Sequence, residues 1–248
     1  MELKEASVLL VEDEPVLSEL MGAWIGRAVG KLLRASNGVE AMEALATHRI
    51  DLIISDVRMP VMDGIGLIKK LNETRGPRPQ VIFITGFSDL SLREAHDLGA
   101  EAVLEKPVTR EDLLHEARRS LTEPEELWRK PPAGAAHMKL KSDFESLAAA
   151  LEEKRIAFGR RGFCIQAANV LHTGPVDFVL GFKADQHIIS GQGTVRWTSP
   201  QDKQAGVEIT HLDDAGRAWM VRLVEQDQPR PYIPGSTGSV EPSKIKSA

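Results

Sequence analysis

The sequence predicts an α/β domain on a five-stranded parallel sheet, followed by a β-rich domain flanked by helices. Three observations lead there. The first half alternates short apolar runs with segments of helical period. Acidic, hydroxyl and basic residues recur at the ends of those runs. Beyond residue 161 the texture changes to strand-length runs broken by glycine.

In chain order, the strand-like runs of the first half are Ser7–Val11, Lys31–Ala35, Asp51–Asp56, Val81–Thr85 and Ala102–Glu105. Helical patterns at Pro15–Gly26, Gly38–Thr47, Gly64–Asn72, Leu90–Leu98 and Arg110–Leu121 lie between and after them. The apolar runs do not alternate with polar residues, which marks strands buried on both faces of a parallel sheet. Pro15 suits a first helical turn because its φ is already fixed there. Five βα repeats in this length match a flavodoxin-like doubly wound fold.

A break follows at Thr122-Glu123-Pro124, and Pro131-Pro132-Ala133-Gly134 has the composition of a linker. Leu140, Phe144, Leu147, Ala148 and Leu151 then recur at three- and four-residue spacing, so 138–154 is predicted helical, capped within Ser142–Glu145. Strand-like runs at Phe163–Ala167, Pro175–Phe182, Ile188–Thr198 and Ala205–Thr210 predict an antiparallel sheet or small barrel. Asp213–Val224 reads as a closing helix. The expected organisation is 1–122, a linker 123–137, a β-barrel domain 138–228 with its leading helix, and a disordered tail 229–248.

Composition narrows the function classes. With 42% hydrophobic and 27% charged residues the chain is ordinary globular protein. No window is long and apolar enough for a membrane span, and the charged N-terminus lacks a signal-peptide core. The lone Cys164 fits a reducing compartment, so a cytoplasmic location is expected. Residues 1–122 hold 15 basic against 20 acidic side chains, and 123–248 hold 16 of each. Neither half is the basic body of a DNA-binding output domain, and no helix-turn-helix pattern is present.

The strand ends carry the chemistry. Asp56 closes a buried run, Glu12-Asp13 close another, Thr85-Gly86 a third, and Lys106-Pro107 follow the last. Phosphoryl transfer to a carboxylate needs a nucleophile, a cation and donors for the remaining oxygens. Asp56 is the nucleophile candidate, and Glu12, Asp13 and Asp56 form an oxygen set suited to Mg²⁺. Lys106 offers an ammonium, Thr85 a hydroxyl, and Gly86 leaves room for a phosphate.

Val8-Leu9-Leu10-Val11-Glu12-Asp13-Glu14-Pro15, Asp56-Val57-Arg58-Met59-Pro60-Val61-Met62-Asp63-Gly64, Thr85-Gly86 and Lys106-Pro107 stand in order and at family spacing. The first 122 residues thereby resemble the receiver domain of two-component response regulators. The resemblance implies that a sensor histidine kinase phosphorylates Asp56, that Mg²⁺ is required, and that the Arg58 main-chain carbonyl is a further metal ligand. It also implies a surface change through the fourth helix, fifth strand and fifth helix when Thr85 moves toward the phosphate. Where that family usually has Tyr or Phe, three residues before the lysine, this chain has Val103, so an aromatic relay is not expected.

Gly191-Gln192-Gly193-Thr194-Val195-Arg196-Trp197, with Ala205-Gly206-Val207-Glu208-Ile209 after it, resembles the strands of a PilZ domain over about residues 140–226. That family's antiparallel barrel binds cyclic di-GMP through an Arg-x-x-x-Arg segment and an Asp/Asn-x-Ser-x-x-Gly turn. Here the turn aligns with Ala157-Phe158-Gly159-Arg160-Arg161-Gly162, which keeps only Gly162, and the upstream arginine pair is missing. Arg155, Arg160, Arg161 and Gly162 remain candidate ligand residues, although a solvated basic turn is the simpler reading. The sequence thus predicts a phosphoacceptor protein that is not an enzyme in its own right. Its output is expected to be interaction with an unidentified protein, without cyclic di-GMP, DNA or membrane, and the leading helix is a candidate for homodimerisation. The alternative is a cyclic di-GMP effector whose barrel is gated by the first domain.

Overall fold

The computed structural model describes residues 1–74, 78–86, 90–129, 134, 138–167, 171–227 and 231–237. The chain divides into two units, Met1–Glu123 and Pro124–Ala248.

The first unit carries β1 (Ser7–Val11), β2 (Lys31–Ala35), β3 (Leu52–Asp56), β4 (Gln80–Thr85) and β5 (Ala102–Glu105). All pair in parallel, in the order β2-β1-β3-β4-β5. The chain moves outward from β1 to β2 and then returns to the other side of β1 for β3. That reversal leaves a crevice beyond the C-terminal ends of β1 and β3.

Alternation along each strand fills both faces. Val8, Leu10, Leu52, Ile54, Ile82 and Ile84 share one core with Met21 and Ile25 of α1 (Pro15–Ile25) and Leu113 and Ala117 of α5 (Arg110–Leu121). Leu9, Val11, Ile53, Val81 and Phe83 face Ala41 of α2 (Gly38–Thr47), Leu67 and Ile68 of α3 (Gly64–Glu73) and Ala95 of α4 (Leu92–Leu98).

Helix starts are written locally. Asn37 Oδ1 accepts from Val39 N at 2.9 Å and Glu40 N at 3.1 Å, and Asp63 Oδ1 accepts from Gly66 N at 2.6 Å. Ser91 and Glu94 form a reciprocal capping box at α4.

The second unit differs from the expected antiparallel barrel. Its sheet is mixed and curls into a half-barrel, in the order β6-β9-β10-β11-β8-β7. The strands are β6 (Met138–Phe144), β7 (Ile156–Phe158), β8 (Gly162–Gln166), β9 (Gly174–Phe182), β10 (His187–Ser199) and β11 (Gln204–Leu212). The first of these, β6, lies at the sheet edge and runs parallel to β9.

The leading helix predicted over 138–154 is therefore corrected. Residues 138–144 are strand, and only α7 (Leu147–Glu152) is helical, capped by Ser146, whose Oγ accepts from Ala149 N at 3.1 Å. Leu140 and Phe144 satisfy helical spacing, but four residues is also a multiple of the strand period. The exposed Lys139, Lys141 and Asp143 between and beside them are a strand's outer face. The expected self-association through that helix loses its basis.

Two further expectations change. Within the predicted linker 123–137, Pro124–Trp128 forms α6, with proline and two acids in its first turn. Trp128 is fully buried in the second unit's core, and its indole donates to Ile209 O at 3.2 Å. Pro131-Pro132-Ala133 lie outside the described residues. Within the predicted disordered tail 229–248, residues 231–237 are packed, with Tyr232 and Ile233 buried. The remainder of that tail lies outside the described residues.

The core of this unit is closed by α8 (Asp214–Asp227), where Met220 is buried and Trp219 packs edge-on to Phe158 at 5.2 Å. Trp128→Ala removes a whole buried ring from that core. Its denaturant transition, followed by circular dichroism, is expected to lose about 3–5 kcal/mol of stability. A loss under about 1 kcal/mol would place Trp128 outside the packing that holds this unit.

Candidate functional site

Strand ends of β1 and β3 bring the acids together. Glu12 and Asp13 follow β1 directly, and Asp56 is the last residue of β3, opposite Ile84 of β4. Carboxylate oxygens of Glu12, Asp13 and Asp56 all lie within 4.8 Å of one another. Glu12 and Asp56 are buried, whereas Asp13 is exposed. Three like charges so close repel strongly unless a cation or a proton intervenes.

One cation is supplied by the residue that follows β5. The Lys106 ammonium donates to Asp56 Oδ2 at 2.5 Å and to Glu12 Oε2 at 3.4 Å. Lys106 N also donates to Thr85 O at 2.9 Å, which ties the lysine to the end of β4. The Lys106-Pro107 peptide is cis. Arg58 N donates to Asp56 Oδ1 at 3.2 Å, so both oxygens of Asp56 are held from opposite partners. Thr85 is buried, and its hydroxyl donates to Gly86 O at 2.9 Å.

Titration follows from this arrangement. Burial pushes the Glu12 carboxyl above the ordinary range; the Asp56 charge adds to this, and Lys106 only partly offsets it. For Lys106, burial works to lower the pKa, but the Asp56 hydrogen bond and the charges of Glu12 and Asp56 outweigh it and hold the ammonium above its usual value. The lysine is held as a cation, and Glu12 is the acid whose carboxyl is pushed toward its protonated form. Three carboxylates against one ammonium leave the pocket negative, which suits a small hard cation with oxygen ligands.

Not every residue singled out in the sequence converges. Arg155 stands at the start of β7, with its guanidinium 4.8 Å over the Phe144 ring. Arg160 and Arg161 lie at the other end of β7, in the turn to β8. Arg161 is buried, which corrects the expectation of a solvated basic turn. Gly162 has a packing reason to be glycine, since a Cβ there would sit 2.0 Å from Val207 O. Sequence reasoning missed the polar group formed by Arg196, Glu208 and Tyr232: Arg196 Nε donates to Glu208 Oε2 at 2.5 Å, and the Tyr232 hydroxyl donates to the same carboxylate. The sequence offered little signal, since Glu208 falls on the face of β11 that alternation turns away from Val207 and Ile209, where an acid is ordinary.

Among the described residues no helix is long and apolar enough to cross a membrane. Residues 8–118 match the family model of the response regulator receiver domain. The chain is similar to the positive alginate biosynthesis regulatory protein of Pseudomonas aeruginosa, 37% identical over 134 residues, covering 51% of this chain and 53% of that protein. It is also similar to the regulator of RpoS of Escherichia coli, 35% identical over 102 residues, covering 41% of this chain and 30% of that protein. The chain thus spans about half the length of the first relative and under a third of the second. Among solved structures, the chemotaxis response regulator CheY4 of Vibrio cholerae is 28% identical with a TM-score of 0.43, covering 47% of this chain and 99% of that one. Residues 8–118 are a response regulator receiver domain of two-component signalling.

Proposed function

We propose that Asp56 is the phosphoacceptor of a phosphorelay, and that its phosphorylation by a sensor histidine kinase switches a protein–protein interaction made through the second unit. The observation that carries the reading is the meeting of Glu12, Asp13, Asp56 and Lys106 at the switch point of the sheet. The carboxylate of Asp56 attacks phosphorus, the bond from phosphorus to the donor's nitrogen breaks, and an acyl phosphate remains. Lys106 is placed to hold one phosphoryl oxygen, and the Thr85 hydroxyl, released from Gly86 O, to hold another.

The acidic donor set fits Mg²⁺, which Glu12, Asp13 and Asp56 would hold, with the Arg58 carbonyl proposed as a further ligand on the receiver resemblance. Bound there, Mg²⁺ neutralises charge on the transferring phosphoryl group. The protein is not an enzyme in this reading beyond its own phosphorylation and the slow hydrolysis of its own acyl phosphate. Asp56→Asn is expected to abolish Mg²⁺-dependent incorporation from a small-molecule phosphodonor, read by mass spectrometry. Persistent labelling of that variant would defeat the assignment.

Metal affinity carries the sign of the Glu12 shift. A raised carboxyl pKa means the carboxylate is lost at a higher pH than an exposed glutamate loses it. Mg²⁺ affinity, titrated by calorimetry, is therefore expected to fall already at the upper edge of the carboxylate range as pH is lowered. Glu12→Gln should weaken binding about tenfold and remove that early onset. A pH profile identical in wild type and variant would show that Glu12 does not ligate.

For the second unit we read a diverged PilZ-like module that does not bind cyclic di-GMP. Support comes from Arg155 lying apart from Arg160 and Arg161, and from the engagement of the Arg160 and Arg161 backbone N–H groups by Pro231 O and Tyr232 O. Titrating cyclic di-GMP into the whole protein is expected to give no heat of binding. Micromolar or tighter affinity would replace this reading with that of a nucleotide effector.

A further inference from the structure

The second unit carries a small cluster apart from its main core: Cys164, Trp197, Tyr232 and Ile233. Strand alternation explains why it is separate. Phe163 and Ile165 of β8, and Val207 and Ile209 of β11, point into the main core, so Cys164 and Glu208 between them point to the opposite face. In β10 a register shift between Val195 and Trp197 turns the indole to that same face.

Residues 231–237 lie against this face without joining the sheet as a strand. They are held the way a peptide is held. Arg160 N donates to Pro231 O at 2.9 Å, and Arg161 N to Tyr232 O at 3.1 Å. The Tyr232 ring is buried, and its hydroxyl reaches the Glu208 carboxylate, which Arg196 holds from its other side. Ile233 is fully buried beside Cys164 and Trp197. Gln204 Nε2 donates to Thr237 Oγ1 at 2.9 Å.

The seat is shaped for a close main chain. A Cβ at Gly159 would lie 2.6 Å from Tyr232 O and 2.7 Å from Pro231 O. Pro231 and Pro234 stiffen the segment before it docks, which lowers the entropy lost on binding. Backbone hydrogen bonds at two successive residues, an aromatic anchor with a polar stop at its tip, and an aliphatic contact make up a peptide-recognition site.

We propose that this face is a peptide-binding site, occupied in cis by residues 231–237. A partner protein would reach it by presenting an aromatic–aliphatic–proline segment that displaces this strap. Because the main core is a separate cluster, the strap can lift by local opening while the sheet stays folded. The inference rests on the reading of the second unit as a protein-interaction module and is independent of Asp56.

Cys164 supplies the test, since it is the only cysteine of the chain and is fully buried under the strap. In the whole protein, without Mg²⁺ or phosphodonor, its modification by a thiol reagent is expected to be slow. Tyr232→Ala should speed it about tenfold or more, and Tyr232→Phe by a few-fold through loss of the hydroxyl alone. A synthetic peptide of residues 231–237 added to Tyr232→Ala should slow labelling again, and the same peptide with alanine for its tyrosine should not. If Tyr232→Ala loses its β-sheet circular dichroism, the same readings on Tyr232→Phe decide. Labelling as slow in the variants as in wild type, or fast labelling that the peptide leaves unchanged, would overturn the proposal. So would a wild-type dimer that disappears in the Tyr232 variants, because the strap would then belong to a second copy. Cyclic di-GMP binding would sink the interaction reading itself and leave the Cys164 result to be judged separately.

Discussion

Repulsion among Glu12, Asp13 and Asp56 is the constraint on which the receiver's behaviour depends. Their oxygens lie within 4.8 Å of one another, and one ammonium cannot neutralise all of them. Water alone could relax such a group on an open surface, but Glu12 and Asp56 are buried. A small hard cation bound among the three carboxylates would answer the remaining imbalance. A pocket already short of positive charge responds sharply to any further change of charge. Lys106 reaches both Glu12 and Asp56 on its flexible stem, so its ammonium can follow a change of charge at either.

The sheet exists to impose that proximity. Four strands end within one crevice, and each is locked into register by a core on both of its faces. Slipping β3 by one residue would carry Asp56 out of line with Ile84 and exchange the two cores, at a cost far above any local gain. Lys106 is fixed in the same way, by its backbone bond to Thr85 O.

This half of the molecule was legible in the sequence because its signals are local. Buried parallel strands are continuous apolar runs, and Asn37, Asp63 and Ser91 announce their helices within three residues. The second unit was harder because its decisive interactions are distant. Lys139-Leu140-Lys141 reads as strand only once β9 is beside it, with each register partner 38 residues on. Trp128 looked like part of a linker because its partner, Ile209 O, is 81 residues on. The segment around Tyr232 has the proline, glycine and serine content of a disordered tail. Among the groups that hold it are Glu208 and the Arg160 and Arg161 backbone, which no composition rule connects to it. At the candidate phosphorylation site the acids and the lysine could be named beforehand, but not that Lys106 would reach Glu12 as well as Asp56, which depends on side-chain length and burial.

The absence of an aromatic at position 103 shifts attention to the covalent connection between the units. Val103 is half-buried against the cluster that contains Phe83 and Ala95, so it has packing but no long side chain to swing. After α5 ends at Leu121, only Thr122 and Glu123 precede α6, a reach of about 10 Å at full extension. The end of α5 is itself braced, since Arg119 donates to Glu101 O at 3.1 Å at the start of β5. At the other side of the link, Trp128 anchors α6 by its burial and its bond to Ile209 O. The covalent link between the units is thus two residues long, and each of its ends is anchored inside its own unit.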